Sequence, residues 1–302
     1  MLRRVRPVAS PGRIGYRSCS CRLAARPCSI KGWTGQAGPD PRRPRANSGD
    51  HPGLLASAVM KAGPRIEAVV FDLFYTLVHP GTYPGGTGRI GWLARLLGVD
   101  PTELKARWAG FEPVLEVGQA PKGSDGLGPE LQWVRGVAAD LGVVVTSTDL
   151  ARIEADWDLT RRQALLDPPS SAVATLVGLR EGGIRLGVLS NTHGLELRAW
   201  DRSPLAAHFE VVALSYEIGA CKPDPSTYAY TLSRLKVSAM AAAYVGDGSY
   251  DELVGARAAG FAIVVLAEEA AATAAPDDLP RLRAQADASV RLLPDVVSLV
   301  DR

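Results

Sequence analysis

From about Arg65 onward, short β-rich runs alternate with helical stretches, and this alternation does most to limit the folds open to the chain. Ile66 to Asp72, Ile184 to Leu189, Phe209 to Leu214, Ala241 to Val245 and Phe261 to Leu266 read as strands. Helices are expected over Ser171 to Glu181, broken by Gly182-Gly183, over Pro225 to Leu235, and over Tyr250 to Ala259, stopped by Gly260. Strands and helices at this spacing predict an α/β fold, a Rossmann-like parallel sheet covered on both faces. In such sheets ligands bind at the carboxyl ends of the strands. Asp72, Ser190 and Asp247 each stand at such an end, so the fold would bring them together.

Between the first two strands lie about a hundred residues with no strand signal. Ile90 to Leu97, Thr102 to Val117, Pro129 to Leu141 and Ser147 to Leu166 read as helices. Pro101 suits a first helical turn, and Ser147 or Thr148 is the expected cap of the last helix. The insertion is too large for a crossover and helical enough to be a small bundle. Gly81, Pro84, Gly85, Gly86 and Gly88 would form one hinge and Pro168-Pro169 the other. Trp92, Trp108, Trp133 and Trp157 fall on its helices, where bundle core is the ordinary reading. The expected organisation is a core over 60–80 and 170–270, the helical insertion over 81–169 and a C-terminal helical extension over 271–302.

Composition narrows the partners. The 302 residues are 46% hydrophobic and 22% charged, enough apolar content for a sizeable core. The formal charge of +2 conceals an asymmetry: residues 1–59 hold eleven Lys and Arg against two acids (+9), and the remainder 23 against 30 (−7). A mildly acidic body gives no support for nucleic-acid binding. Nothing approaches the ~18 apolar residues of a membrane span, so no membrane partner is expected. Cys19, Cys21 and Cys28 crowd the N-terminus and only Cys221 lies in the body, which argues against a disulfide framework. A cytoplasmic monomer or homodimer is the expectation. Residues 1–59 are rich in Arg, Pro, Gly and Ser and lack periodicity. They read as a disordered tail, a transit-like segment, or sequence upstream of a true start at Met60.

The chemistry lies in four places. Asp72, ending an apolar run, can attack phosphorus or carbon and form an ester that water later hydrolyses, or can merely cap a turn. Gly246 permits close approach of a ligand to Asp247, and Asp247 with Asp72 could bind Mg²⁺, a cation usually held by one or two carboxylates. Pro223 aims Lys222, whose compact ammonium would offset the charge of Asp72 and a phosphate. Ser190, Asn191 and Thr192 can cradle phosphate oxygens or cap the turn that follows.

In order and setting these residues, with Thr76-Leu77 and Asp251, resemble the four motifs of the haloacid dehalogenase-like hydrolases. The resemblance covers roughly 65–270, and the insertion resembles the helical cap that members carry between their first and second motifs. It implies an Mg²⁺-dependent phosphatase of a small phosphorylated metabolite. Asp72 would be the nucleophile and Thr76 would orient it. Thr76, Ser190, Asn191 and Lys222 would surround the phosphate. Asp72, Asp247 and the main-chain carbonyl of Phe74 would hold the metal. Asp251 would tether Lys222 or a metal-bound water.

One position departs. Phe74 stands where the family's phosphatases place an aspartate that protonates the leaving group and then activates water, and phenylalanine cannot transfer protons. Such help is worth roughly 10²–10⁴-fold. Three consequences stay open: a substrate with a good leaving group such as an acyl phosphate, a substitute such as His79 or His193, or a different reaction. The L-2-haloacid dehalogenases share the layout, carry an aromatic residue at this offset and need no metal, although Asp247 fits them poorly. A non-catalytic phosphate-binding protein is the other alternative. Tyr75 also departs, standing where glycine is common. Arg89 or Arg161 could clamp an anionic group.

Overall fold

The computed structural model describes residues 65–120, 126–274 and 276–301, so the N-terminal segment and Met60 lie outside the described residues. Six strands form one parallel sheet: β1 (Ala68–Phe71), β2 (Arg185–Ser190), β3 (Val211–Leu214), β4 (Ala242–Gly246), β5 (Ile263–Ala267) and β6 (Ala288–Val290). Their spatial order is β3-β2-β1-β4-β5-β6, so the winding reverses between β1 and β4. A crevice at the strand ends belongs at that reversal, and Asp72 and Asp247 lie on its two sides.

The strands read as unbroken apolar runs because both faces are covered. Odd positions of β1, Val69 and Phe71, pack with α5 (Ser170–Glu181) and α11 (Asp295–Val300) through Leu176, Val296 and Val300. Even positions, Ala68 and Val70, pack with α7 (Pro225–Leu235) and α8 (Glu252–Ala258) through Tyr228, Leu232 and Leu253. The single turn α6 (Ser215–Ile218) follows β3, and α9 (Glu268–Ala274) and α10 (Leu279–Gln285) connect β5 to β6.

The expected helical extension over 271–302 therefore needs correction: it also supplies the sixth strand. Ala288 to Val290 is too short to announce itself by periodicity, and it becomes a strand by pairing with Val265 to Ala267.

The segment between β1 and β2 contains α1 (Arg89–Leu97), α2 (Pro101–Glu116), α3 (Pro129–Asp140) and α4 (Ser147–Leu166). Asp100 caps α2, accepting from the N–H groups of Thr102 and Glu103 at 2.8 and 3.0 Å. The cap of α4 is Thr146 rather than Ser147 or Thr148, because Thr146 and Asp149 exchange the reciprocal bonds of a capping box. These helices have their own core, in which Trp92, Trp108 and Trp157 join Leu104 and Ile153, with Trp133 packed alongside. Leu195 of the sheet domain enters the same cluster, tying the two layers.

Val296 is fully buried against the sheet face. Val296→Ala is expected to lower the unfolding free energy by about 2 kcal/mol, since it deletes two buried methyl groups and leaves a cavity. A urea titration with an unchanged midpoint would mean that the C-terminal segment does not contribute to the core.

Candidate active site

Lys222 is the centre of the site. It is 3% exposed, and its Nζ donates to Asp72 Oδ1 and to Glu252 Oε2, both at 2.6 Å, and to the Tyr244 hydroxyl at 3.3 Å. Burial opposes its charge, but the two carboxylates hold its pKa above the ordinary lysine value. The loop carrying it is clamped by Asn191, whose amide accepts from Lys222 N–H at 2.8 Å and donates to Lys222 C=O at 3.1 Å. The Asn191 side chain is thus committed to the lysine loop. This corrects the expectation that it binds phosphate, although Asn191 does line the cavity.

Asp72 follows β1, and its N–H continues the ladder to Val245 C=O at 2.9 Å. Its carboxyl pKa is pushed up to about 6 by burial, with Lys222 opposing and Glu252 adding to the rise. Only Oδ1 is engaged; Oδ2 is buried with no hydrogen-bond partner. The Ser190 hydroxyl is buried and unpartnered as well. Thr76 is buried beside Asp72, where it lowers the carboxyl pKa, and is not among the residues lining the cavity. Its hydroxyl is buried without a hydrogen-bond partner and lies off the cavity wall, so the expected direct contact with phosphate is corrected.

Asp247 is oriented by Ser249, whose N–H reaches Oδ1 at 3.1 Å and whose hydroxyl reaches Oδ2 at 2.8 Å. Burial and the neighbouring Asp72 raise its pKa. Carboxylate oxygens of Asp72, Asp247 and Glu252 lie within 4.8 Å of one another, all three residues buried. Three acids face one ammonium there, and one oxygen of Asp72 has no partner. An all-oxygen set with surplus negative charge suits a hard divalent cation such as Mg²⁺. The chain's residues therefore fit the metal that the motifs imply.

Asp251 is the clearest correction. Its side chain is 66% exposed and lies 3.5 Å from Arg281; it lines the cavity but is not a partner of the Lys222 ammonium, which bonds Asp72, Tyr244 and Glu252. Tyr250 and Asp251 both adopt left-handed backbone, φ 55° and 53°, so the helix begins only at Glu252 and the next acid turns inward. Glu252 takes the tethering role, accepting from Gly248 N–H at 3.0 Å with its other oxygen. A Cβ at Gly246 would strike the Glu252 carboxylate, which is why that position has none. Glu252 directly follows Asp251, so the sequence signal for it lay one residue further along.

These residues open on a cavity of about 530 Å³ roofed by the helical segment. Phe74 lines it, its ring 4.8 Å from the Arg161 guanidinium. Tyr75 has φ 68°, the left-handed conformation that explains why glycine suits this position. Of the two histidines, His79 is exposed and does not line the cavity. His193 does, with Nδ1 2.6 Å from Glu130 and Nε2 3.6 Å from Glu196.

Glu196, at the turn after β2, joins the sheet domain to the helical segment. It pairs with Arg161 at 2.7 Å and Arg89 at 3.3 Å, while Thr192 donates to its second oxygen. Burial alone would raise its pKa, but Arg161, His193 and Arg89 hold it down to about 2. Glu116, at the end of α2, is pushed up to about 7 by burial and by Glu112 and Glu196. No spacing rule flags Glu116 or Glu196, because their environments come from separate elements.

With this geometry in view, the known proteins can be set beside it. The chain belongs to the haloacid dehalogenase-like hydrolase family, whose model matches residues 66–260. It is 38% identical over 104 residues to a glyceraldehyde 3-phosphate phosphatase of Methanopyrus kandleri, covering 33% of this chain and 44% of that one. To a ribulose-1,5-bisphosphate 5-phosphatase of Halopiger xanaduensis it is 32% identical over 154 residues, covering 50% and 63%. The matched segments thus span 44% and 63% of these two curated relatives, less than two thirds of either. Among solved structures, a 2-haloacid dehalogenase from Pseudomonas syringae superposes with a TM-score of 0.53 at 23% identity, covering 78% and 99% of the two chains. A phosphatase of the family from Thermococcus onnurineus gives 0.50 at 19%, covering 78% and 98%. At these identities the structural likeness speaks for the fold. Among the described residues no helix is long and apolar enough to cross a membrane.

Two outcomes follow from the Lys222 geometry and the Glu116 environment. Glu252→Gln is expected to cost about 3 kcal/mol of stability, because it removes one partner of a buried ion pair. Asp251→Asn should cost less than about 1 kcal/mol, as expected for an exposed pair. Equal effects in urea unfolding would contradict the assignment of Glu252. A carboxyl whose pKa rises on folding contributes stability that is full below its unfolded value and is lost as pH climbs through the folded one. For Glu116 that window runs from 4.5 to about 7. Glu116→Gln should therefore gain on the wild type by up to about 3 kcal/mol between pH 4.5 and 8. A pH-independent difference between the two unfolding curves would refute it.

Proposed function

We propose that this protein is an Mg²⁺-dependent phosphatase of small phosphorylated metabolites, working through an aspartyl-phosphate on Asp72. The observation that carries the reading is the state of Asp72: one oxygen held by Lys222, the other buried without a partner among acids that outnumber their cation. The phosphatase names of the partly matched relatives support it.

Each residue then has a task. Asp72 Oδ2 is the free nucleophilic oxygen, and Lys222 fixes the carboxylate while offsetting charge that gathers at phosphorus. The Ser190 hydroxyl, otherwise unsatisfied, donates to a phosphoryl oxygen. Asp247, held by Ser249, and Asp72 would hold Mg²⁺ with the Phe74 main-chain carbonyl. The metal, when bound, neutralises the phosphoryl group and the surplus carboxylate charge. Glu252 keeps Lys222 charged and aimed. The helical segment acts as a cap whose closure excludes water and selects the substrate.

The dehalogenase alternative draws on the aromatic residue at 74. It requires an anionic haloacid to approach Asp72 beside two further buried carboxylates with a single ammonium to offset them. That charge balance favours the phosphatase.

Phosphate release from acetyl phosphate and phenyl phosphate is expected with Mg²⁺, to vanish with a chelator, and to fall at least about 10³-fold in Asp72→Asn. Chelator-resistant phosphate release would refute the metal dependence, and chloride release from 2-chloropropionate without phosphate release would favour the dehalogenase instead.

A further inference from the structure

Phe74 raises the question of how the leaving group departs, and the residue above it offers an answer. Arg161, on α4, is 7% exposed and lines the same cavity as Asp72, Ser190 and Lys222. Its guanidinium lies 4.8 Å from the Phe74 ring centre, and its Nη2 is 2.7 Å from Glu196. Its Nε and Nη1 are buried with no partner in hydrogen-bond geometry, although the Tyr75 and Tyr83 hydroxyls also act on its charge. Burying guanidinium N–H groups unmade is costly, and a site tolerates it where a ligand supplies the acceptors.

The other cavity arginine on the helical segment is in a different condition. Arg89 is divided between Glu112 at 2.7 Å and Glu196 at 3.3 Å and lies 4.2 Å from the Trp108 ring centre. Arg161 carries the spare donors. Burial opposes its charge, yet Glu196 keeps its pKa above the ordinary arginine value, so it cannot serve as a proton donor.

The aromatic face of Phe74 suits a cation and would not suit an anion. At the position where the family's phosphatases carry a carboxylic acid, this chain thus presents a fixed positive charge with unmade hydrogen bonds. A cation there assists a leaving group that departs as an anion and does nothing for one that needs a proton.

We propose that Arg161 is a catalytic residue that receives the leaving group as an oxyanion, and that the substrates are acyl phosphates. The inference rests on the phosphatase reading above. Asp72 Oδ2 forms the bond to phosphorus while the bond from phosphorus to the acyl oxygen breaks. The electron pair stays on that oxygen, and the product is a carboxylate held by Arg161 without proton transfer. Water then attacks phosphorus, the ester to Asp72 breaks, and both water protons remain on the released dihydrogen phosphate. The first step does not call for the acid that Phe74 lacks, and in the second a phosphoryl oxygen takes the proton of the attacking water in place of a side-chain base.

The test uses the full chain with acetyl phosphate and, separately, phenyl phosphate. The wild type should prefer acetyl phosphate and be inhibited competitively by acetate, with uncharged acetamide inert. Arg161→Gln keeps a donor for Glu196; its kcat/KM on acetyl phosphate should fall about 100-fold. Acetate inhibition should weaken at least about tenfold, as for loss of one charged contact, while inhibition by inorganic phosphate stays as in the wild type. Guanidinium added to Arg161→Ala should restore part of the lost rate.

Wild-type turnover indifferent to acetate, or a variant still inhibited by acetate as the wild type is, would overturn the role of Arg161 and leave the phosphatase reading standing. Absence of phosphate release from either substrate by the wild type would overturn both. If the variants do not fold, the comparison of acetate with acetamide on the wild type decides the matter alone.

Discussion

The buried ammonium of Lys222 is the constraint on which the site depends. Three segments far apart in sequence meet there: the end of β1 through Asp72, the start of α8 through Glu252, and the loop before α7 that carries the lysine. None of the three charges is stable in isolation at this depth, and removing the lysine strands both carboxylates. The sheet supplies the geometry, since parallel β1 and β4 are neighbours and deliver Asp72 and Asp247 to the same edge. The tight passage at Gly246 follows from the same requirement, because the Glu252 carboxylate occupies the space a side chain would take.

A second buried charge system joins the two layers. Glu196 leaves the sheet domain just past β2 and binds Arg161 and Arg89 of the helical segment. The pair of arginines therefore both shapes the cavity and holds the layers together. Trp157 and Trp108, which might have faced a ligand, serve the core of the helical segment, and Arg89 stacks over Trp108. Arg161, Glu116, Glu112 and His193, residues supplied by both layers, are among the polar groups that line the cavity.

The strand ends were legible because a parallel sheet buried on both faces writes uninterrupted apolar runs, and a polar residue closing such a run stands out. Asp72, Ser190 and Asp247 were readable in that way, Lys222 from the proline that follows it, and all four meet at one cavity. Asp251 was not, because spacing on an assumed helix placed it inward, whereas two left-handed residues delay the helix to Glu252. Asn191 carried the right chemistry for phosphate but spends both amide atoms on the Lys222 backbone. The sixth strand was hidden by its length of three residues, which gains meaning only from its partner β5.

Local chemistry alone determined the layout of this protein: a doubly covered parallel sheet, a helical insertion after its first strand, and a hydrolase's carboxylate, hydroxyl, lysine and second carboxylate in order. Those features are carried by periodicity and by residues next to one another, and they survive without knowledge of the distant contacts. Tertiary structure alone decided which acid reaches the lysine, which arginine keeps free donors, and that Phe74 lies beneath a guanidinium. Each depends on the direction of a side chain across a gap between elements, and burial makes that direction matter by removing the water that would otherwise satisfy every alternative.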